Sequence, residues 1–203
     1  MLGTVPTPDG RLYRTADAKP GDALLLTRGI AIEGTAALGS ELAGTTNDLS
    51  IDLVERAAAY LHDPGISVVP AATIAVRLPG VHAMHDPTEG GLATALHEIC
   101  DACDGGVEID ADEIVVLPET RALCAALDLD PLGLLASGAL LVSADPAAVP
   151  ALLAAWERAG ISAAQIGRLT GRGSPRNLFR DGRLEPLTVF ERDELARYFA
   201  RSI

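Results

Sequence analysis

Short apolar runs alternate along the chain with segments in which apolar residues recur every three or four positions. Residues 23–27 form a continuous apolar run between two turns, too short for a helix, which predicts a buried strand. We expect further strands at residues 81–84, 107–109, 114–117, 138–143, 165–169, 177–180 and 184–188. The dipeptide Asp181-Gly182 between the last two predicts a tight hairpin turn.

The helical pattern places apolar residues on one face in seven segments. It predicts helices over residues 35–43, 48–62, 67–78, 89–103, 118–127, 147–160 and 193–201. Strands separated by helices, with a hairpin near the end, indicate a layered α/β or α+β domain. We expect a single domain over residues 21–203, preceded by a turn-rich arm over residues 1–20 with a short strand at Leu12 and Tyr13.

The composition supports a packed domain and argues against two classes of partner. Of 203 residues, 48% are hydrophobic, and three Phe, three Tyr and one Trp leave the core to Ala, Leu, Val and Ile. A net charge of −12 repels phosphate backbones, which argues against nucleic-acid binding. No apolar stretch approaches the ~18 residues of a membrane span, and no secretory pattern opens the chain. We therefore expect a cytoplasmic protein that does not bind membranes.

Three cysteines, Cys100, Cys103 and Cys124, are an odd number in a chain with no export signal, so reduced thiols are expected. Cys100 and Cys103 have the spacing of a redox or metal motif. They lie inside a helical pattern, however, and no second pair completes a set of four ligands. Packing in the core is the favoured interpretation.

The segment from Asp86 to Gly91 holds the best candidate chemistry, at a predicted strand-to-helix junction. Thr88 is suited to cap the helix, and two glycines allow a ligand to approach the backbone closely. Free amides at a helix start favour an anion, but Asp86 and Glu89 would require a divalent cation between them and a phosphate. Helix capping without any ligand is the alternative.

Two histidines flank this segment. His82 and His85 are three residues apart on a predicted strand, so we expect them to face opposite sides of the sheet. They are therefore poor candidates for a shared metal ion.

Four segments, in this order, carry a resemblance to a known family: KPGDALLLT at 19–27, IEGT at 32–35, VHAMHDPTEGGLA at 81–93 and SGALL at 137–141. They resemble the C-terminal domain of the AIR synthase-related superfamily, which includes aminoimidazole ribonucleotide synthetase (PurM), the hydrogenase maturation protein HypE, selenophosphate synthetase and thiamine-monophosphate kinase. HypE-like members are the most similar. The resemblance implies an α+β fold like the PurM C-terminal domain: a mixed sheet, helices on both faces and a partly ferredoxin-like arrangement.

The resemblance also implies a chemistry. Most full-length members use ATP and Mg²⁺ to phosphorylate a group such as an amide oxygen, and their N-terminal domain holds most of the phosphate contacts. That domain has no counterpart here, so ATP and Mg²⁺ are implied but not expected to be bound by this chain alone. In the family, one cleft of the C-terminal domain faces the N-terminal domain. The resemblance places these residues of this chain in that cleft: Glu33, Asp86, Thr88, Glu89, Gly90, Gly91, Ser137 and Gly138. Asp86 is the one implied metal ligand, and no catalytic residue is assigned.

Two departures from the HypE-like pattern leave the activity open. Glu89 stands where that motif, DPTRGG, has arginine, and the chain ends without the terminal cysteine of HypE. The chain is thus expected to be half of an ATP-dependent phosphoryl-transfer enzyme that needs a separate ATP-binding part, or a non-catalytic binding or assembly module with the same fold. A fragment of a longer protein is a third interpretation. Apolar surface that the N-terminal domain would otherwise cover predicts a homodimer.

Overall fold

The computed structural model describes residues 10–45 and 49–201 and contains a seven-stranded mixed sheet. The strands are β1 (Ala23–Thr27), β2 (Val81–His85), β3 (Gly106–Asp110), β4 (Leu141–Ala144), β5 (Ala163–Thr170), β6 (Arg176–Arg180) and β7 (Arg183–Pro186). Their spatial order is β2-β4-β1-β5-β3-β6-β7. Neighbours are antiparallel except β3 and β6, which are parallel, so the expected mixed sheet is confirmed.

Helices cover both faces of this sheet, as predicted. They are α1 (Ile32–Leu42), α2 (Ile51–Ala59), α3 (Val69–Ala75), α4 (Gly91–Cys103), α5 (Pro118–Leu127), α6 (Val149–Arg158) and α7 (Glu194–Arg201). Short helical turns lie at Thr15–Asp17, Leu61–Gly65, Ala111–Glu113, Pro131–Gly133 and Pro146–Ala148. In the part of the chain that is described, no helix has the length and apolar character to cross a membrane.

Two apolar layers hold the helices to the sheet because successive strand residues point to opposite faces. Leu24 and Leu26 of β1 belong to the layer under α1, α2, α4 and α5. Leu25, between them, belongs to the layer under α3 and α6. In that second layer Trp156 is fully buried, and its Nε1–H donates a 3.0 Å hydrogen bond to the carbonyl oxygen of Ala71, which joins α6 to α3.

The predicted hairpin is present at the end of the sheet. Asp181 and Gly182 both have positive φ angles, 50° and 75°, which suits the twist of the two-residue turn between β6 and β7. Arg180 and Arg183 face each other across its first pair of positions. Local sequence alone determines this turn.

The strand predicted at residues 114–117 does not form, and that prediction was wrong. The segment is extended, and its Val115 carbonyl oxygen accepts from the Ile30 N–H at 3.0 Å. No strand lies beside it to supply a ladder of backbone bonds, so it links the turn at Ala111–Glu113 to α5.

Several helix ends also differ from the predictions. Ala31, in the left-handed conformation with φ 60°, caps α1, which begins at Ile32, three residues before its predicted start. Ser50 caps α2 by accepting from the Leu53 N–H, so that helix begins at Ile51; Asp48, its predicted start, lies outside the described residues. α3 is shorter than predicted, and α2 ends before the turn at Leu61–Gly65.

The arm contacts the sheet edge through side chains and forms no strand at Leu12 and Tyr13. Arg11 donates hydrogen bonds of 3.1 Å to the carbonyl oxygens of Val81 and His82 on β2. This guanidinium covers part of an edge that backbone pairing would otherwise extend. The division into an arm and one domain stays a prediction, and residues 1–9 lie outside the described part.

Candidate functional site

Three loops meet beside the end of β2 and bring the predicted cleft residues together. The Gly34 N–H, in the first turn of α1, donates to the Leu135 carbonyl oxygen at 2.9 Å. The Ala136 N–H donates to the Thr88 carbonyl oxygen at 3.2 Å. The start of α1, the segment 134–138 and the turn 86–91 therefore form one continuous surface, although far apart in sequence.

Two carboxylates, Glu33 and Asp86, lie on this surface. Glu33 is in the first turn of α1 and is half-buried, and Asp86 follows β2 at the solvent-exposed edge. Nearby atoms desolvate the Asp86 carboxyl and raise its pKa above the ordinary range; His85 lowers it, and the negative charge of Glu33 raises it. The site thus concentrates negative charge at its rim.

Thr88 does not cap α4, which corrects the prediction. Its carbonyl oxygen accepts from the Gly91 N–H at 3.1 Å, and its hydroxyl bonds the Glu89 carboxylate. The cap residue is Gly90, in the left-handed conformation, so α4 begins at Gly91 and not at Glu89. Glu89 is exposed, and its pKa is lowered by its own backbone N–H and by Thr88.

The backbone conformation and packing of the turn require glycine at positions 90 and 91. Gly90 and Gly91 have φ angles of 78° and 68°, which side-chain-bearing residues rarely adopt. A Cβ on Gly91 would collide with the Leu132 carbonyl oxygen. The space beside Gly91 is filled by the backbone at Leu132, and the space beside Gly90 by the Thr94 side chain, so neither glycine leaves room there for the expected ligand.

The Gly90 amide is not free for an external anion. Its N–H donates a 2.6 Å hydrogen bond to Oδ2 of Asp193, directly before α7. Sequence reasoning missed Asp193, because the contact spans 103 positions. The only signal available was an aspartate at the start of the last predicted helix.

Ser137 is half-buried in the segment 134–138, and Gly138 packs against Ile32 in the first turn of α1. Gly138 is buried with φ 111°, and a Cβ there would lie 3.0 Å from the Gly65 carbonyl oxygen. Arg28 donates to that same oxygen at 2.8 Å. Arg28, a cation the sequence analysis overlooked, has a left-handed backbone with φ 62°, and such strain often accompanies functional loops.

The two histidines face the same side of the sheet, so the predicted opposite orientation was wrong. His82 Nδ1 lies 2.9 Å from both carboxylate oxygens of Asp22, and His85 Nε2 lies 2.9 Å from Glu98 Oε2 on α4. A shift in register between Val81 and Ala83 breaks the two-residue alternation. Each ring thus has a carboxylate partner of its own.

The cysteines are free thiols, and no redox pair is formed. Cys100 and Cys124 are buried, and burial raises their pKa to about 11 and about 12. Cys103 is half-buried, and its pKa is also raised by desolvation. Within residues 10–45 and 49–201, no group of three or more His, Cys, Asp or Glu side chains could hold a metal ion.

These observations define which groups the site can hold. The Glu33 and Asp86 carboxylates are oxygen donors of the type that Mg²⁺ prefers, but among the described residues they belong to no group of three or more possible metal ligands. They do not suit a bare triphosphate, and the amide at the start of α4 is already bonded to a carboxylate. The charge of these side chains therefore suits a cation better than a nucleotide phosphate.

Known proteins share this fold and these segments. The sequence profile described as AIR synthase related protein, C-terminal domain, matches residues 19–177. No curated protein sequence matches the chain. Escherichia coli HypE superposes with a TM-score of 0.72 at 26% identity, over 92% of this chain and 55% of that chain.

Two further structures share the fold at lower identity. HypE in complex with ATP gives a TM-score of 0.64 at 22% identity, over 90% of this chain and 55% of that one. Thiamine-monophosphate kinase from Stenotrophomonas maltophilia gives a TM-score of 0.65 at 20% identity, over 86% of this chain and 54% of that one. This chain thus spans about half the length of these solved proteins. Because the profile covers most of its residues and the sheet agrees, the chain belongs to the AIR synthase-related family and has the fold of that family's C-terminal domain.

Proposed function

We propose that this domain forms one wall of the active site of an ATP-dependent enzyme that transfers a phosphoryl group to an amide or carbonyl oxygen. A separate ATP-binding part, on the same or another polypeptide, supplies most of the contacts to the triphosphate. The single observation that carries the proposal is that backbone hydrogen bonds of Gly34 and Thr88 to the segment 134–138 bring the loops that carry Glu33 and Asp86 together beside β2.

The related structures support ATP as the nucleotide. One HypE structure is a complex with ATP, and a structure of thiamine-monophosphate kinase holds AMPPCP and TMP. Phosphoryl transfer requires positive charge or metal ions around the transferred group. In the proposed site Glu33 and Asp86 would help to hold Mg²⁺, which would supply positive charge near the phosphates, and Arg28 is a cation of the loop before α1.

The role of the ATP-binding part is tested by titrating the chain with Mg·ATP in a calorimeter. We expect no saturable binding to the chain alone at millimolar nucleotide. A fusion that places the unmatched half of E. coli HypE before residue 19 should bind Mg·ATP and hydrolyse it to ADP and phosphate, with water as the phosphoryl acceptor. In the fusion, Asp86→Asn should lower this activity, whereas Glu55→Gln, on the exposed side of α2, is the matched control. Binding tighter than millimolar by the chain alone would overturn the need for a separate part.

A non-catalytic binding or assembly module is the second candidate. Glu89 in place of an arginine and Asp193 on the Gly90 amide favour it, since both place negative charge where a phosphate would lie. A fusion that is folded by circular dichroism yet inert toward ATP would support this function over the first.

We also propose that the protein is a cytoplasmic homodimer, and that the separate ATP-binding part is its second partner. HypE is known in a complex with HypF, so association with another chain has a precedent among the structural relatives. Sedimentation should give twice the chain's mass of 21.0 kDa. A monomer at all concentrations would contradict the dimer.

A further inference from the structure

The chain after β7 lies against the turn 86–91. His97 Nε2 on α4 lies 3.1 Å from the Thr188 carbonyl oxygen. Phe190 packs on Gly133, where a Cβ would stand only 2.6 Å from the ring's Cγ. The family profile ends at residue 177, so a segment outside it contacts the family's own motif.

One carboxylate in this segment serves two helices. Asp193 Oδ1 accepts from the Leu195 N–H at 2.7 Å and thereby caps α7. Its Oδ2 accepts from the Gly90 N–H at 2.6 Å, at the start of α4. Hydrogen bonds to a charged acceptor are stronger than those between neutral groups, and the positive ends of both helix dipoles favour the charge.

Glu194, the next residue, forms a second set of contacts between the segment after β7 and the rest of the domain. Glu194 is only 5% exposed, and its Oε2 accepts from the Asp130 N–H at 2.9 Å. Arg197 pairs with this carboxylate. Asp130 accepts from the Leu132 N–H, and the backbone of Leu132 lies against Gly91, so the contacts close a ring from Gly90 through Asp193 and Glu194 back to Gly91.

We propose that Asp193 is a positioning residue of the candidate site: its bond to Gly90 holds the turn 86–91 against the segment 134–138, and so holds the loop of Asp86 in place relative to the first turn of α1, which carries Glu33. The catalytic relevance of that placement rests on the proposed function, whereas the placement itself does not. While the bond exists, the Gly90 N–H is unavailable to a substrate phosphate, which must be held by other groups.

The rival explanation is that Asp193 only caps α7, and one substitution separates the two roles. In Asp193→Ser the hydroxyl still accepts from the Leu195 N–H, but a single short oxygen cannot also reach Gly90. Asp193→Ala removes both bonds. Asp145→Ala is the matched control, because Asp145 accepts from the Ala147 N–H at 2.8 Å before a helix remote from the site.

Amide hydrogen exchange by NMR on the full chain measures the effect. Protection at Gly90, Gly91 and Ala136 should fall about tenfold or more in Asp193→Ser, relative to the amides of β1, as expected for a lost bond to a charged group. The Gly90 amide proton should move upfield. Asp145→Ala should change neither, and α7 amides should lose protection only in Asp193→Ala.

Wild-type protection at these three amides in Asp193→Ser would overturn the proposal and leave Asp193 as a cap of α7. An equal loss in the amides of β1 would also overturn it, because the effect would then be global. Neither readout involves ATP, so a fusion that fails to use ATP refutes the proposed function without touching this result.

Discussion

The carboxylate of Asp22 accepts a 2.5 Å hydrogen bond from the Ser143 hydroxyl, and both side chains are buried. Asp22 also accepts from the Lys19 N–H and contacts His82, so it joins the residues before β1 to β2 and β4. A buried carboxylate is stable only when its oxygens are bonded in this way. This network fixes the sheet edge on which the candidate site is built.

Asp22→Ala should therefore destabilise the protein by about 3 kcal/mol, because several polar partners lose a buried charged acceptor together. Urea denaturation followed by the fluorescence of Trp156 measures the change. Glu108→Gln is the control, since Glu108 forms an exposed pair with Arg168 and the denaturation midpoint should hardly move. Equal effects of the two substitutions would contradict the structural role of Asp22.

Gly91→Ala should destabilise more than Gly173→Ala. Both glycines have positive φ, 68° and 73°, so each substitution carries a backbone cost of about 1–2 kcal/mol. A Cβ on Gly173 meets no atom within 4 Å, whereas one on Gly91 collides with the backbone at Leu132. Overpacking adds about 1–3 kcal/mol at Gly91 alone. Denaturation midpoints that match would show that the turn can move away from Leu132.

Asp86→Asn should stabilise the protein at pH 7 and have less effect as the pH approaches 4. The pKa of Asp86 is raised above its ordinary 3.8, so the folded state binds a proton more readily than the unfolded chain. Stability from this group is therefore lost as the pH rises through the folded value, and the ionised form opposes folding at neutral pH. Urea denaturation at a series of pH values tests this, with Glu55→Gln as the exposed control. A less stable Asp86→Asn at pH 7 would refute it.

Thiol labelling should follow burial. Cys103 is half-buried, whereas burial raises the pKa of Cys100 to about 11 and of Cys124 to about 12. Because the thiolate is the reactive form, a disulfide reagent at pH 8 should modify Cys103 first and the other two only on unfolding. Mass spectrometry identifies the labelled residue, and Cys103→Ser should abolish the fast phase. Rapid labelling of Cys100 would mean that α4 opens in the native state.

Features that local sequence determines were predictable, and those that depend on distant partners were not. The run that became β1 and the turn at Asp181-Gly182 carry their own signals. Residues 114–117 have the same apolar character as a strand, but a strand also requires a neighbour, and none is beside them. Propensity could not reveal this.

In the candidate site, too, local features were predictable from the sequence and long-range contacts were not. The motif from Asp86 to Gly91 was found from residue types alone, as was its placement between β2 and α4. Its cap was assigned to Thr88 because the sequence could not show that Gly90 takes a left-handed conformation. The contact with Asp193 depends on the return of the chain after β7, which no local pattern encodes.

The ring of contacts through Asp193 and Glu194 has a practical consequence for dividing this polypeptide. A protein trimmed at residue 177, where the similarity to the family ends, would lose β7, the buried Glu194 and the acceptor of the Gly90 amide. It would keep every recognisable motif, yet it would also lose three of the five residues of β6 and leave β3 at the edge of the sheet. The end of the family similarity therefore falls inside the sheet, and side-chain contacts that hold the turn 86–91 come from residues beyond it.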